Sequence, residues 1–153
     1  MSDFNIVMNK ELVTADLLMQ NEPSLPEAMR QLNLCEAIVA EKDGAAICVC
    51  LLKKREEHYE IVNLAFDKRH LNTNADRELL LFVLDSVRAQ GGKSVEIGAG
   101  NAEMRRHEML ITMGFRVVAV WRDHFPAGVA STDKRITVPN RDMLRYRIDL
   151  TEG

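Results

Sequence analysis

The sequence predicts an α/β fold in a single domain, with a mixed central β-sheet of about seven strands flanked by about four helices. Two patterns support this prediction. A strand, a helix and a second strand follow one another between Tyr59 and Gly100, and such a unit places two neighbouring strands parallel. Two strand-like runs before Tyr59 and the run at Tyr59–Phe66 are joined to one another by short turns, as antiparallel strands are. No repeat, low-complexity tract or Gly/Ser-rich linker interrupts residues 1–153, so we expect one domain.

The first half of the chain is predicted to contain four strands and two helices. In order, these are a strand at Phe4–Met8, helices at Glu11–Gln20 and Leu25–Leu32, two strands on either side of Asp43-Gly44, and a strand at Tyr59–Phe66. Pro26 fits the first turn of the second helix, where a missing amide hydrogen costs nothing. Asp-Gly between two apolar runs is a strong signal for a β-hairpin.

The second half is predicted to alternate helices with strands. In order, these are a helix at Ala75–Ala89, a strand at Lys93–Gly100, a helix at Ala102–Met113, and strands at Phe115–Asp123 and Arg141–Leu150. The first of these helices has a broad apolar face, formed by Leu79, Leu80, Val83, Leu84 and Val87. Glycines end both helices, since glycine readily takes the left-handed conformation found after a helix.

Composition excludes some classes of function. A formal net charge of −3 gives no reason to expect nucleic acid as a partner. The longest apolar run, Leu79–Leu84, is far too short to cross a membrane. The first residues lack a basic flank followed by an apolar stretch, so we expect no secretory signal. Three cysteines without Cys-x-x-Cys spacing suit reduced thiols, and we expect a cytoplasmic protein.

The cysteines and histidines do not predict a metal site. Cys48 and Cys50 lie two residues apart in an alternating apolar run, so they face one side of a strand and are expected in the core. The four histidines form no pair on one helix face. Metal ligands usually come in closely spaced sets, and the sequence has none.

Four segments together resemble the GNAT superfamily of N-acetyltransferases. They are "YEIVNLAFDKRH" from Tyr59, "GGKSVEIGAGN" from Gly91, "MGFRV" from Met113 and the closing "RDMLRYRIDL" from Arg141. Each motif is weak alone, but their order and spacing are specific. The resemblance implies a single GNAT-type domain over residues 1–153. It also implies an enzyme that transfers an acetyl group from acetyl-CoA to an amine, whose identity the sequence does not reveal.

The resemblance also implies where the cofactor binds. In the superfamily, two central strands splay apart and hold the pantetheine arm against backbone groups. The matching residues here are Asn63, Leu64, Ala65 and Phe66. The pyrophosphate binds a loop of pattern Gln/Arg-x-x-Gly-x-Gly/Ala at the start of the next helix. That loop corresponds to Leu71, Asn72, Thr73, Asn74, Ala75, Asp76 and Arg77, and Asn101 and Arg106 complete the expected cofactor site.

The pyrophosphate loop departs from the superfamily pattern at all three of its defining positions. Leu71 replaces the glutamine or arginine, Asn74 the first glycine and Asp76 the last glycine or alanine. Asn74 is the mildest change, because asparagine tolerates left-handed backbone angles. Asp76 is the most serious, since two like charges about 4 Å apart repel by about 4 kcal/mol at an effective dielectric near 20. Either the loop binds diphosphate weakly, or Asn74 or Asp76 caps the helix and nothing binds.

Catalysis requires a base for the attacking amine and often an acid for the leaving thiolate. Glu60 lies in the segment that resembles the one carrying the superfamily's general-base glutamate; alternatively, it is an ordinary glutamate on the wetter face of a strand. In many members the general acid is a tyrosine four residues before the Gly-Phe pair, but here that position is Leu110. The basic run Arg105–His107 either binds the adenosine 3′-phosphate and compensates for Asp76, or is a solvated helix face.

Two functional hypotheses therefore remain open. The first is an acetyl-CoA-dependent N-acetyltransferase with a divergent cofactor loop. The second is a non-catalytic GNAT-type protein that binds a ligand or a partner. The long irregular segment 123–140 is predicted to form a homodimer contact or a cover over the acceptor site, or else to be a mobile surface loop.

Overall fold

The computed structural model describes residues 4–150, apart from the side chains of residues 71–73. Seven strands form one sheet: β1 (Asn5–Val7), β2 (Glu36–Lys42), β3 (Ala45–Arg55), β4 (His58–Phe66), β5 (Ser94–Gly100), β6 (Arg116–Trp121) and β7 (Met143–Asp149). The α-helices are α1 (Ala15–Leu18), α2 (Leu25–Leu34), α3 (Ala75–Ala89) and α4 (Met104–Thr112). Short 3-10 helices span Lys10–Leu12 and Lys68–Thr73. The predicted fold class is confirmed.

The sheet is mixed, with the strand order β1-β2-β3-β4-β5-β7-β6. Among the described pairings only β4 and β5 run parallel, and α3 forms the crossover between them. Strands β2, β3 and β4 are antiparallel neighbours, as the short turns predicted. Asp43 and Gly44, in the β2–β3 turn, both have positive φ angles, 53° and 80°. Asp-Gly suits this turn because type I′ hairpins require positive φ at both central residues.

Two apolar layers pack on opposite faces of the sheet. One contains Leu18 and Ala28 from α1 and α2, together with Val49 and Ala65 of the sheet. The other contains the apolar face of α3 and Leu110 of α4. Alternate strand residues point to opposite faces, so Cys48 and Cys50 join the α3 side and are fully buried. The prediction that these cysteines are core residues is confirmed.

The predicted continuous helix at Glu11–Gln20 is wrong. The chain forms a 3-10 turn at Lys10–Leu12, becomes extended at Val13 and starts α1 only at Ala15. Thr14 causes the break, because its hydroxyl accepts a hydrogen bond from the Leu17 amide at 3.3 Å and begins a new helix. The remaining predicted elements match the structure to within a few residues at each end. Among the described residues, no helix is long and apolar enough to span a membrane.

Candidate functional site

Strands β4 and β5 separate halfway along their length. Their pairing runs from His58↔Ser94 to Ile61↔Ile97 and ends there, although both strands continue. The register between β3 and β4 shifts at this point, because Leu51 pairs with Asn63 and Leu52 with Ile61. Val62 is thus the extra residue of a β-bulge, and bulges bend the strand that contains them. The bend turns the second half of β4 away from β5 and opens a gap between them.

The edge of β4 that faces this gap is occupied by side chains. The Gln20 amide donates to the Phe66 carbonyl at 2.7 Å and accepts from the Phe66 amide at 3.4 Å. The Leu64 carbonyl accepts from Asn21 at 2.9 Å and also from Arg106. This part of β4 therefore has no partner strand on the side of the gap. Three side chains bond its backbone there instead, those of Gln20, Asn21 and Arg106.

Asn63 and Ala65 point elsewhere. The Asn63 side chain is buried, donates to the Leu18 carbonyl at 3.0 Å and accepts from Asn21 at 2.9 Å. Ala65 is fully buried in the layer beneath α1 and α2. Asn63 thus ties the segment after α1 to β4, and its side chain has no donor or acceptor directed at the gap.

A cleft of about 200 Å³ lies at the mouth of the gap. The segment after α1 contributes Gln20 and Glu22 to its lining, and β4 and β5 contribute Glu60 and Gly98. Segment 123–140 contributes His124, Phe125, Val129 and Asn140. This segment therefore forms part of the wall of the cleft.

Glu60 lies in this cleft between two arginines. Its Oε1 accepts from Arg55 at 2.9 Å and its Oε2 accepts from Arg145 at 3.1 Å. The Glu60 side chain is 19% exposed and that of Arg145 only 7%. Glu60 therefore lines the cleft, and each of its two carboxylate oxygens accepts a hydrogen bond from a guanidinium group.

Arg145 is packed between an aromatic ring and a glycine. Its guanidinium carbon lies 4.4 Å from the centre of the Trp121 ring. A Cβ on Gly98, its pairing partner on β5, would lie 2.7 Å from Arg145 Nη1. Glycine at position 98 is thus what makes room for the guanidinium in the wall of the cleft.

The loop before α3 contains one left-handed residue, and one amide of the first helical turn is already hydrogen-bonded to a side chain. Asn74 takes left-handed angles (φ 57°), as its position at a family glycine suggested, but its side chain caps nothing. The Asp76 carboxylate instead accepts from the Arg77 amide at 2.9 Å. Of the two predicted capping residues, Asp76 alone bonds a first-turn amide, whereas Ala75 is buried under the helix. The side chains of Leu71, Asn72 and Thr73 lie outside the described residues.

The basic run on α4 divides into three environments. Arg105 is exposed and lies 5.3 Å from the centre of the Phe66 ring, beside a second cavity of about 430 Å³ that Lys68 and Lys134 also line. Arg106 points into the gap, where burial lowers the pKa of its guanidinium and nearby carboxylates oppose that shift. His107 is buried and bonds the Tyr146 hydroxyl at 2.6 Å and the Gly100 carbonyl at 2.9 Å. A uniformly solvated face is therefore wrong for this run.

Asn101 anchors the chain at the end of segment 123–140, and its Nδ2 donates to the Pro139 carbonyl at 3.4 Å. Its Oδ1 accepts from the amides of Arg141 at 2.7 Å and Asp142 at 2.9 Å. Nearby, the buried Glu103 accepts from Asn140 at 2.8 Å and from the Thr132 amide at 3.0 Å. The Asn101 side chain therefore bonds the protein's own backbone. These contacts do not support its predicted place in the cofactor site.

Four residues of the cleft were not predicted from the sequence. Gln20 and Asn21 follow a short helix that has no motif, and Trp121 and Arg145 lie on the two final strands. One signal for Arg145 was present. Arg145 is a charged residue in a strand of alternating polar and apolar residues, and it pairs with a glycine of the neighbouring strand. Such a pairing indicates that the long side chain lies over the glycine, where no side chain is in its way.

Comparison with known proteins agrees with this geometry. No family model matches the chain. The uncharacterized N-acetyltransferase YvbK of Bacillus subtilis (strain 168) is 29% identical over 136 residues, which cover 88% of each chain. A Bacillus subtilis acetyltransferase solved in complex with CoA superposes with a TM-score of 0.81 at 25% identity, covering 97% of this chain and 99% of that one. A GNAT family acetyltransferase from Elizabethkingia anophelis with acetyl-CoA bound gives 0.83 at 20% identity and the same coverage.

These similarities span nearly the whole chain and include both a sequence relative and solved structures. The splayed strands, the helix that follows them and the four motifs occur here in the order that the sequence resemblance implies. In sequence and in fold, the chain is similar over most of its length to N-acetyltransferases of the GNAT superfamily.

Proposed function

We propose that this protein is an acetyl-CoA-dependent N-acetyltransferase that acts on an amine. The observation that carries the proposal is the gap between β4 and β5, with the polar backbone edge of Leu64 and Phe66 on one side. A pantetheine arm contains two amide groups, which can pair with such an edge as a strand would. The relatives solved with CoA and with acetyl-CoA have this fold.

The phosphates of the cofactor require cations at the outer end of the gap. Arg105, Lys68 and Lys134 line the cavity there, and Arg105 also lines a neighbouring cavity with Asn74, Asp76 and Arg77 at the start of α3. Amides at a helix N-terminus favour anions, although Asp76 already occupies the Arg77 amide. We therefore assign most of the phosphate binding to the exposed basic side chains rather than to the loop backbone.

The reaction is attack of a neutral amine on the thioester carbonyl carbon. A C–N bond forms, the C–S bond breaks, the amine loses a proton and the coenzyme A thiolate gains one. Glu60 lines the cleft in which the amine must lie, so we assign it the amine proton. Arg55 and Arg145 orient this carboxylate, and proton transfer requires that one of their hydrogen bonds weaken in the complex with substrate.

A non-catalytic role is favoured by the occupied strand edge. Gln20, Asn21 and Arg106 all bond β4 where the pantetheine is expected to pair. Leu110 also supplies no proton for the thiolate. If these contacts persist in the presence of acetyl-CoA, the fold serves only as a binding or interaction module.

The direct test is release of free coenzyme A, measured with a thiol reagent, in the presence of a panel of amines. The protein's own thiols interfere little, since Cys35, Cys48 and Cys50 are buried. Burial also raises the pKa of Cys50 to about 12 and that of Cys48 well above its usual range. Amine-dependent release supports the transferase. Acetyl-CoA binding without release for any amine supports the non-catalytic role.

Removing the side chains that cover the β4 edge tests whether they compete with the cofactor. We expect Gln20→Ala with Asn21→Ala to tighten acetyl-CoA binding about threefold to tenfold, because the Phe66 amide and carbonyl are then free and the Leu64 carbonyl keeps only its bond from Arg106. Isothermal titration calorimetry measures the change. Gln90→Ala, in an exposed residue at the end of α3, is the matched control. Weaker binding in the double variant would show that these amides help to hold the cofactor instead.

Segment 123–140 gives a separate prediction about the acceptor. Because it lines the cleft and is tied to Glu103 and Asn101, we expect deletion of residues 127–134 to raise the acceptor KM about tenfold. The acetyl-CoA dissociation constant should rise less than the acceptor KM does, because the deletion removes Lys134 but leaves Arg105 and Lys68 in the cavity assigned to the phosphates. Sedimentation of both forms tests the dimer prediction, which requires a dimer for the full chain and a monomer after deletion. An unchanged acceptor KM would remove the segment from the acceptor site.

A further inference from the structure

The Arg145 guanidinium is almost completely buried, but it has few hydrogen-bond acceptors around it. Arg145 is 6% exposed, and its Nη2 donates to Glu60 at 3.1 Å. Its Nη1 has only the thioether sulfur of Met143 at 3.7 Å, a weak acceptor, and its buried Nε has no partner among the described residues. A guanidinium has five donors, so most of the capacity of Arg145 is unused in a wall of the cleft.

The surroundings hold this group in one orientation. Trp121 covers it at 4.4 Å, and on the other strand a Cβ at Gly98 would lie 2.5 Å from Met143 Sδ and 2.7 Å from Arg145 Nη1. The planar fork is thus fixed before any ligand arrives. A preorganised fork suits a planar anion that accepts two hydrogen bonds, and carboxylates have this geometry.

Charge around the fork also favours a single negative charge. Within ion-pair distance, Arg55 and Arg145 share one carboxylate, that of Glu60. A second carboxylate would therefore be attracted to the pair of arginines. The cleft is also lined by Glu22, Glu27 and Glu103, which disfavour a doubly charged phosphate more strongly than a carboxylate.

The position of the Arg145 guanidinium determines how far a bound carboxylate lies from the reacting amine. Gly98, opposite Arg145, is the first β5 residue beyond the last β4–β5 pair. The carboxylate would therefore lie at the inner end of the gap, into which the thioester must extend. Resting on the proposed transferase, we propose that the acceptor is a free α-amino acid, whose carboxylate binds Arg145 and whose amino group lies beside the thioester.

The proposal predicts discrimination between matched acceptors. Each of a set of α-amino acids is compared with its carboxamide and with the amine that lacks the carboxyl group, by coenzyme A release. We expect at least one amino acid to exceed both analogues at least tenfold in kcat/KM. Arg145→Gln should abolish that preference with the acetyl-CoA dissociation constant unchanged, and Arg145→Lys should restore only part of it. Arg147→Gln, in an exposed residue of the same strand, is the control.

A second readout does not depend on transfer. Trp121 is the only tryptophan of the chain and touches Arg145, so its fluorescence reports on this group. We expect N-acetyl amino acids, the products, to change this fluorescence, and their carboxamides to leave it unchanged. Gly98→Ala should weaken the response by displacing the guanidinium, even if Arg145→Gln fails to fold.

The outcomes separate this inference from the proposed function. Transfer to amines without preference for a carboxylate overturns the amino acid proposal and leaves the transferase intact. A carboxylate-dependent fluorescence change without transfer to any amine supports the Arg145 site and counts against the enzyme. Stronger responses to aminoalkyl phosphates than to amino acids would overturn the assignment to a carboxylate.

Discussion

Replacing Glu60 with glutamine is expected to lower the rate of acetyl transfer about a hundredfold. Glutamine keeps the shape of the side chain and an oxygen for Arg145, but it cannot take the proton of the attacking amine. General-base contributions of this kind are typically about a hundredfold or more. The measurement is kcat at saturating acetyl-CoA with an identified acceptor.

The structure adds a cost in stability that the sequence does not indicate. Glu60 neutralises Arg145, which is nearly buried, and glutamine removes that charge. We expect the free energy of unfolding to fall by about 1–3 kcal/mol, from the loss of charge-assisted hydrogen bonds. Glu96→Gln, in the register partner of Glu60 on β5, is the control and should keep wild-type kcat. Unchanged kcat in Glu60→Gln would remove Glu60 from the mechanism.

The paired change Asn74→Gly and Asp76→Gly is expected to tighten acetyl-CoA binding about fivefold to thirtyfold. That change corresponds to about 1–2 kcal/mol. The Asp76 carboxylate occupies the Arg77 amide, and its charge opposes a diphosphate at the same helix end. The effect should be smaller than bare repulsion, because the half-buried Arg106 interacts with the Asp76 charge. Calorimetry with acetyl-CoA measures it.

Two single changes separate charge from backbone freedom. Asp76→Asn removes the charge and keeps an oxygen for the Arg77 amide, so it should give most of the gain. Asn74→Gly should bind as the wild type does and cost little stability, since Asn74 has φ 57° and caps nothing. If the paired variant binds no better than the wild type, charge at Asp76 does not limit the site.

The fold could be predicted because its local signals agree with its packing. The Asp43-Gly44 turn requires positive φ angles, and the apolar face of α3 has the spacing that packs on a sheet. The early helix was mispredicted because one hydroxyl, that of Thr14, outweighed the periodicity of its neighbours. Such a competition between a cap and a continuous helix depends on tertiary packing.

In the candidate site, the sequence indicates features of the backbone better than contacts between side chains. Asn63 to Phe66 form the part of β4 beyond its pairing with β5, and Asn74 has left-handed angles at the position of a superfamily glycine. The role of Arg145 depends on three strands whose contact no local pattern encodes, since Gly98 and Trp121 are distant in sequence. Asn101 shows the converse case, because a residue in a recognisable motif can be used entirely to hold a neighbouring segment.

Calorimetric titration of the wild-type protein with acetyl-CoA tests the central claim most directly. The gap between β4 and β5 and the basic residues at its outer end predict saturable one-to-one binding in the submillimolar range. Arg105→Ala should weaken that binding about tenfold, because Arg105 lies beside Phe66 in the cavity assigned to the phosphates. Absence of heat at millimolar acetyl-CoA, at two temperatures, would contradict the account.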